Sequence, residues 1–563
     1  MIVEKDISIP LSDGAVLYCN VFRPADDGPH PVLMTHGPYG KDAHFQDAFT
    51  PAWDVLKSLY PGLDTDGSSG RYLRWETPDP DRWVPKGYVV IAVDSRGAGK
   101  SPGVLNPHSP RETLDFYECI EWAGVQPWSN GKVGLLGISY YGINQWKVAS
   151  MRPPHLAAIC PWEGCTDPYR DQAYHGGIFS NTFGELWWDR QIVPIQNGNA
   201  KTHYFDRDTG KPPTGTPLDD ATLAANLVNT VNDRALHPFD DEWYAERRAD
   251  LSKIEVPVLS AGNWGGMGLH LRGNVEGFLG AASEDKWLEM HGGTHYESFF
   301  LPEFIELQQR FFDYYLKGID NGWKDEPRVL LNIRHPGDNF VLRKENEWPL
   351  ARTRWTPFYL NTETASLDQE LPQKEAEFAY NGLDWGIELS TPPMVEATEI
   401  TGPVVANLWV KSESTDMDLF LTLRAFDPDG KEVTFRGATD PAVPVAQGWL
   451  RASHRATDPE KSQPWRPFRK HDKAEPLVPG HPYKVAVEIW PTCVVLPKGY
   501  RLTLRIDGKD FQREGGDMFR QGSGPFLHTD PKDRNPEIFG VRNVILSGGQ
   551  FDSHLVLPII PDD

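Results

Sequence analysis

One serine stands where the chain could make it a nucleophile. Residues 133–142 read Val-Gly-Leu-Leu-Gly-Ile-Ser-Tyr-Tyr-Gly, and a segment that can form a helix follows at residues 143–150. A strand, a sharp turn and a helix with serine at the apex form a nucleophile elbow, which lifts the hydroxyl clear of the sheet. Gly137 suits a turn in which a side chain would clash. The pattern predicts a catalytic Ser139, and a turn that merely joins a strand to a helix stays open as the alternative.

The elements that must position this serine follow the pattern of an α/β sheet. Strand-like and helix-like segments alternate through the first half of the chain. Residues 7–11 and 16–22 predict a hairpin, and residues 114–124 and 304–316 predict amphipathic helices. Short apolar runs predict strands that are covered on both faces. These runs lie at residues 32–35, 88–93, 133–136, 156–161 and 256–261.

The pattern changes twice along the chain. Residues 164–249 separate two predicted strands and combine aromatic helix-like segments with a middle rich in Gly, Pro and Thr. An insertion of this size predicts a helical cap over the strand ends. Beyond residue 350, alternating residues and hairpin turns predict an all-β sandwich. We therefore expect an α/β catalytic domain over residues 1–350 and a β-sandwich domain over residues 351–563.

The composition excludes several classes of protein. In 563 residues, 56 Lys and Arg residues against 79 Asp and Glu residues give a net charge of −23, which argues against a nucleic-acid partner. No long apolar run predicts a membrane span. The N-terminus lacks the basic and apolar regions of a secretory signal. The five cysteines are scattered without metal-binding spacing, which favours a cytoplasmic protein without a structural metal.

Further motifs resemble those of one hydrolase family. Residues 36–40 read His-Gly-Pro-Tyr-Gly, residues 94–101 read Asp-Ser-Arg-Gly-Ala-Gly-Lys-Ser, and Thr294-His295 follows a late predicted strand. The second half adds motifs at residues 400–403, 416–420, 448–453 and 497–502. With the serine turn, these resemble the cocaine-esterase-like (CocE/NonD) acyl hydrolases, relatives of the X-Pro dipeptidyl peptidases. The resemblance spans nearly the whole chain and implies an α/β-hydrolase fold followed by a jelly-roll sandwich.

The resemblance also implies roles for individual residues. Ser139 would be the acylated nucleophile, and His295 would be the base that takes its proton. The oxyanion hole would pair the Tyr39 hydroxyl with the backbone N–H of Tyr140. His291 competes with His295 for the role of base, although its position suggests a residue at a strand end.

The acid of the family's triad is missing from its usual place. The loop after residues 256–261 reads Gly-Asn-Trp-Gly-Gly-Met-Gly, so Gly266 stands where the resemblance implies a carboxylate. A histidine base needs an acceptor that fixes its tautomer. Glu163, at the end of the strand at residues 156–161, is the leading substitute and keeps the order nucleophile, acid, base. The remaining candidates are Asp167, Glu297, and a serine–histidine dyad with Asn263 or a backbone group as acceptor.

These residues predict a serine hydrolase that forms an acyl-enzyme on Ser139 without a metal or organic cofactor. The expected partner is a small carboxylic ester, or an amide, in a pocket to which Trp162 and Trp264 contribute. An X-Pro dipeptidyl peptidase or related amide acylase is one alternative, and it would need pocket carboxylates for a free ammonium. A catalytically impaired binding protein is the other, because of Gly266. We expect no nucleic-acid or membrane partner, and self-association into a homo-oligomer stays open.

Overall fold

A computed structural model of the chain describes residues 1–517 and 519–561. The strands of its first part are β1 (Ile2–Pro10), β2 (Val16–Arg23), β3 (His30–Gly37), β4 (Val89–Asp94), β5 (Ser129–Ile138), β6 (Leu156–Trp162), β7 (Tyr174–His175), β8 (Ile178–Phe179), β9 (Val258–Asn263), β10 (Lys286–His291), β11 (Val329–His335) and β12 (Asn339–Glu345). The helices are α1 (Phe45–Ala48), α2 (Thr50–Leu59), α3 (Pro80–Trp83), α4 (Pro110–Gly124), α5 (Tyr140–Ala149), α6 (Thr182–Trp187), α7 (Asp220–Ala225), α8 (Thr230–Leu236), α9 (Glu242–Ala245), α10 (Leu271–Gly280), α11 (Glu297–Phe300) and α12 (Pro302–Lys317). In those two ranges, no helix has both the length and the apolar character needed to cross a membrane.

The first part is built on one large sheet. Within residues 1–517 and 519–561, ten strands form it in the order β1-β2-β4-β3-β5-β6-β9-β10-β11-β12. The strands from β4 to β11 run parallel, whereas β1, β2 and β12 pair antiparallel with their neighbours. The carboxyl ends of the parallel strands therefore meet at one edge, where ligands bind in open α/β sheets. This topology confirms the expected α/β-hydrolase fold.

The elements around the serine lie close to their predicted positions. β5 leads through Ser139 into α5, and β1 and β2 form the predicted hairpin. The helix predicted from residue 114 begins earlier, at Pro110. The Ser109 side chain accepts a hydrogen bond from the N–H of Glu112, and a proline suits the first turn of a helix. These N-terminal signals precede the amphipathic pattern, so a prediction from the pattern alone begins the helix too late.

Residues 164–249 contain short elements only. They include β7, β8, helices α6 to α9, and wide helical turns at Pro168–Ala173 and Trp188–Ile192. Trp187, Ile192 and Tyr204 of this segment share one apolar core with Leu136 and Ile138 of β5. The segment is therefore packed against the region where β5 ends at the serine turn.

Among its described residues, the second part is all β apart from one short α-helix and a 3₁₀ turn at Ala452–His454. Its elements are β13 (Arg354–Asn361), β14 (Ser366–Asp368), β15 (Ala376–Asn381), β16 (Ile387–Ser390), β17 (Thr398–Ser412), β18 (Asp418–Phe426), β19 (Glu432–Val433), β20 (Ala446–Arg451), β21 (Tyr483–Leu496), β22 (Arg501–Asp507), β23 (Arg542–Ser547), β24 (His554–Ile560) and α13 (Pro536–Phe539). The long strand β17 pairs with β21 and also with β24, so the path β17-β21-β20-β18-β22-β16-β14-β13-β24 closes on itself. This confirms a β-barrel or sandwich in the second half of the chain.

The two parts are held together by apolar and polar contacts. Trp264 and Leu271 of the first part belong to the same apolar core as strands of the second. The backbone of Ala438 accepts a hydrogen bond from the N–H of His295 at 3.1 Å and donates one to the carbonyl of Gly265 at 3.2 Å. The second part thus supports two loops at the carboxyl edge of the sheet.

Candidate active site

Ser139 lies in a strained turn between β5 and α5. Its φ of 55° and ψ of −113° form a conformation that residues other than glycine rarely adopt. Its N–H donates to the carbonyl of Trp162 at 2.9 Å. A methyl group at Gly137 would lie 2.5 Å from Cβ of Tyr141, so the turn requires glycine there. The chain therefore has the backbone of a nucleophile elbow, with its serine at the apex.

The hydroxyl of Ser139 lies 3.1 Å from Nε2 of His270, and not against His295 as the sequence predicts. His270 is buried just before α10, and burial, with the nearby charge of His295, lowers its pKa to about 3. Among the described residues, its Nδ1 has no hydrogen-bond partner. Sequence reasoning missed His270, although it lies in the glycine-rich loop from which the family's acid is absent.

His295 is held between two carboxylates. Its Nδ1 lies 2.7 Å from Oε2 of Glu163, and its Nε2 lies 2.9 Å from Oε1 of Glu76. Burial disfavours the imidazolium, but the two carboxylates outweigh it and raise the pKa of His295 to about 10. The rings of His295 and His270 are nearly parallel, with centroids 5.3 Å apart. His295, which is bound to the two carboxylates, and His270, which contacts Ser139, therefore lie side by side.

Glu163 is fully buried directly after β6, with a positive φ of 45°. Its Oε1 accepts hydrogen bonds from Nε2 of His291 at 3.0 Å and Nδ2 of Asn263 at 3.1 Å. Burial alone would raise its pKa, but His295 and His291 lower it to about 2. The structure therefore brings Glu163 to His295, while Asn263, the last residue of β9, also contacts the glutamate.

Two other candidate acids have partners elsewhere. Asp167 lies 2.7 Å from Nη1 of Arg170. Glu297 lies 3.0 Å from Nη1 of Arg436 and accepts the N–H of Thr294. In the described part of the chain, neither carboxylate is hydrogen-bonded to His295, so neither is placed to orient it.

His291 contacts Oε1 of Glu163, whereas His295 contacts Oε2. Nδ1 of His291 lies 2.7 Å from Oε2 of Glu289, and its Nε2 bonds to Glu163. Burial opposes protonation, but Glu289 and Glu163 raise the pKa of His291 to about 9. His291 therefore links Glu163 to Glu289, and no hydrogen bond joins it to Ser139 among the described residues.

Glu76 is the second residue that sequence reasoning missed. It lies outside every predicted element, has a φ of 62°, and its carbonyl accepts the N–H of Ile138 at the end of β5. Burial raises its pKa to about 7, although His295 opposes the shift. No pattern in the sequence marks such a residue, because the tertiary fold alone brings it to His295.

A cavity of about 480 Å³, counting the part that opens to solvent, adjoins Ser139. Both Tyr39 and Tyr140 line it. The Tyr39 hydroxyl accepts a hydrogen bond from Nε1 of Trp187 at 2.8 Å, and burial raises its pKa far above the ordinary value, so it keeps its proton. The Tyr140 hydroxyl donates to Glu112 at 2.6 Å. Tyr39 therefore offers its hydroxyl to the cavity, whereas Tyr140 can offer its backbone N–H.

The two tryptophans predicted for the pocket lie elsewhere. Among the described residues, neither Trp162 nor Trp264 lines the cavity at Ser139, and both are fully buried. Nε1 of Trp162 donates to Oγ of Ser298 at 3.0 Å, and Nε1 of Trp264 donates to the carbonyl of Asn332 at 2.9 Å. Their place at strand ends suggested a pocket, but the strands and helices around them enclose them in the core.

Both parts of the chain have known relatives. Residues 13–297 match the X-Pro dipeptidyl-peptidase (S15 family), and residues 321–556 match the X-Pro dipeptidyl-peptidase C-terminal non-catalytic domain. Cocaine esterase from Rhodococcus sp. (strain MB1 Bresler) is 25% identical, covering 99% of this chain and 98% of that protein. A solved CocE/NonD family hydrolase from Staphylococcus aureus is 35% identical with a TM-score of 0.84, covering 100% of this chain and 94% of that one. A solved α-amino acid ester hydrolase shares the fold at 16% identity and a TM-score of 0.64, covering 99% and 96%.

We expect Glu76→Gln to lower the pKa of His295. The carboxylate at 2.9 Å favours the imidazolium, and loss of one close opposite charge shifts a pKa by about 1–3 units. NMR titration of the imidazole measures the shift. Glu289→Gln is the matched control, and it should change the pKa of His291 more than that of His295. An unchanged pKa of His295 in Glu76→Gln contradicts the contact.

Proposed function

This chain belongs to the X-Pro dipeptidyl-peptidase (S15) family and is a serine hydrolase of the CocE/NonD type, and we propose that it cleaves small carboxylic esters through an acyl-enzyme on Ser139. Amides of the same acids are the second substrate class. One observation carries the proposal: the Ser139 hydroxyl stands on a strained turn at a cavity, next to His270, and His270 is stacked on the His295 that Glu163 binds. The name of the Rhodococcus relative, an esterase, supports the choice of ester over amide.

We propose His295 as the base and Glu163 as the acid that orients it. The carboxylate 2.7 Å from Nδ1 fixes the tautomer and stabilises the imidazolium that forms when Ser139 is deprotonated. His270 has no such acceptor on Nδ1, and a pKa of about 3 makes it a weak base. Substrate displaces His270 from the serine, and Nε2 of His295 exchanges Glu76 for the Ser139 hydroxyl. When His295 loses its contact with Glu76, its pKa also falls toward the pH at which a general base works.

The remaining steps use groups at the same turn. Ser139 attacks the carbonyl carbon, and the oxyanion is held by the Tyr39 hydroxyl and the N–H of Tyr140 at the start of α5, where the helix dipole favours negative charge. His295 then protonates the leaving alcohol or amine. Water, deprotonated by the same imidazole, hydrolyses the acyl-enzyme.

The domain organisation belongs to the same proposal. We assign residues 1–350 to the catalytic domain, residues 164–249 to a helical cap within it, and residues 351–563 to a jelly-roll domain. The cap assignment is supported by the cavity residues that this segment contributes, which are Gln172, Ser180, Phe183, Gly184, Trp187 and Arg234. A cytoplasmic location is proposed because the five cysteines are all buried and unpaired.

The cavity argues against the X-Pro dipeptidyl peptidase. Such an enzyme must bind a free N-terminal ammonium, for which buried carboxylates are the matching groups. Among the described residues that line the cavity at Ser139, none is Asp or Glu. An ester hydrolase is the activity that this lining favours.

A fluorophosphonate probe should label Ser139, because only a serine activated by a base reacts. Intact-protein mass spectrometry measures the adduct, and Ser139→Ala should abolish it. Ser150, at the far end of the same helix, provides the matched control in Ser150→Ala, which should still be labelled. Absence of labelling in the wild-type protein rejects the proposed nucleophile.

Tyr39→Phe should lower kcat on a p-nitrophenyl ester by on the order of 10²-fold, because removal of one oxyanion donor typically costs about 2.7–4 kcal/mol. Tyr141→Phe, whose ring centroid lies 5.6 Å from that of Tyr39, removes a neighbouring hydroxyl and should have a much smaller effect. Activity of Tyr39→Phe within about twofold of wild type removes Tyr39 from the oxyanion hole.

Glu163→Gln should lower kcat by about 10³- to 10⁴-fold, because a neutral amide neither fixes the tautomer of His295 nor stabilises its charge. Circular dichroism checks that the variant is folded, and Glu297→Gln is the control acid. His295→Ala should be as inactive as Glu163→Gln, whereas His270→Ala should lose less. An active His295→Ala with an inactive His270→Ala assigns the base to His270 instead.

A further inference from the structure

The described residues that line the cavity at Ser139 supply one fixed charge, and it is positive. Among these described residues, Arg234 is the sole Lys, Arg, Asp or Glu. The two histidines of the lining, His108 and His270, are held neutral because burial lowers both pKa values far below the ordinary range. A substrate at Ser139 therefore meets a guanidinium and no carboxylate.

Arg234 has no acidic partner among the residues that the structure describes. Its Nη2 donates to Oε1 of Gln172, a neutral amide that also lines the cavity, at 3.0 Å. Across residues 1–517 and 519–561, no Asp or Glu forms an ion pair with it, and burial lowers its pKa. A partly desolvated cation without a counter-ion is unfavourable, so the site is suited to an anion that a ligand brings.

The surroundings of Arg234 add further positive charge. Lys147 donates to the carbonyl of His108 at 2.8 Å, and burial lowers its pKa to about 8 although Glu112 opposes the shift. Lys147, Arg234 and Arg247 all act to lower the pKa of His108. With Glu112 as the opposing acid, the field along this wall of the cavity remains positive and attracts an anion.

We propose that the substrate carries a carboxylate that pairs with Arg234 while its ester or amide carbonyl lies at Ser139. The inference rests on the proposed function, since the cavity is a substrate site only if Ser139 is the nucleophile. A guanidinium binds a carboxylate through two parallel hydrogen bonds, which would fix the position of the chain. Ser139 Oγ bonds to the carbonyl carbon and the bond to the leaving oxygen or nitrogen breaks as the leaving group takes a proton. Water then cleaves the bond to Ser139, and the distal carboxylate is unchanged. A free ammonium would be repelled by the same residue.

The test compares kcat/KM for two length-matched esters, the mono-p-nitrophenyl ester of adipic acid and p-nitrophenyl hexanoate. The wild-type enzyme should prefer the anionic ester, and Arg234→Gln should lower the anionic-to-neutral ratio by ~10- to 100-fold, as expected for one charge-assisted hydrogen-bonded pair. Arg234→Lys should restore part of the ratio, because it keeps the charge. Arg190→Gln is the matched control, since it removes an exposed arginine of the same segment outside the cavity and should keep the ratio.

A second pair of esters locates the carboxylate. If it belongs to the leaving group, 4-acetoxybenzoate should be preferred over phenyl acetate with the same dependence on Arg234. A preference in either pair that falls with added salt supports the inference, because salt screens ion pairs. Equal kcat/KM for the anionic and the neutral ester in both pairs overturns the inference. An anionic-to-neutral ratio that Arg234→Gln does not change also overturns it.

The proposed function and this inference fail in different ways. Hydrolysis of the neutral esters that depends on Ser139 but shows no anionic preference rejects the inference alone. No hydrolysis of any ester, with no fluorophosphonate labelling, rejects the proposed function. If Arg234→Gln does not fold, inhibition of the wild-type enzyme tests the inference instead. Adipate should compete with p-nitrophenyl hexanoate at a lower concentration than adipamide does. Equal inhibition by adipate and adipamide overturns the inference.

Discussion

The site depends on one buried charge, the carboxylate of Glu163. A fully buried ionised carboxylate is costly unless hydrogen bonds and opposite charges satisfy it. Glu163 receives hydrogen bonds from His295, His291 and Asn263, and the two histidines lower its pKa to about 2 against the effect of burial. Each partner is in turn held in place by this charge. The glutamate therefore fixes the three loops that follow β6, β9 and β10 relative to one another, at the edge of the sheet where Ser139 stands.

The rest of the fold shields this network from solvent and holds it in position. Residues 164–249 share an apolar core with β5 and supply six of the residues that line the cavity, including Arg234. The second, all-β part contacts the loops themselves, since Ala438 bonds to both Gly265 and His295. Distant segments of the chain thus combine at one site. Burial lowers the pKa of both stacked histidines, and the two differ because Glu163 and Glu76 contact His295 whereas His270 has no carboxylate partner among the described residues.

The sequence was sufficient for the parts of the site that local pattern encodes. A glycine-framed serine between a strand and a helix predicted the elbow, and the end of the next strand predicted where a substitute acid would stand. It was insufficient for Glu76 and His270, which reach the site through tertiary packing alone. The pocket was predicted wrongly at Trp162 and Trp264 because strand-end position does not tell an enclosed ring from a cavity wall. Arg234 lies on a short helix whose orientation no periodicity could give.

The central claim is that His295, oriented by Glu163, takes the proton of Ser139 during the reaction although its Nε2 contacts Glu76 in this structure. The most direct measurement is a crystal structure of the phosphonate adduct of Ser139. It should place Nε2 of His295 within hydrogen-bond distance of Ser139 Oγ or of the adduct oxygen that corresponds to the leaving group. Nδ1 of His295 should still be hydrogen-bonded to Glu163. An adduct in which His295 stays on Glu76 and His270 alone contacts those oxygens would contradict the claim.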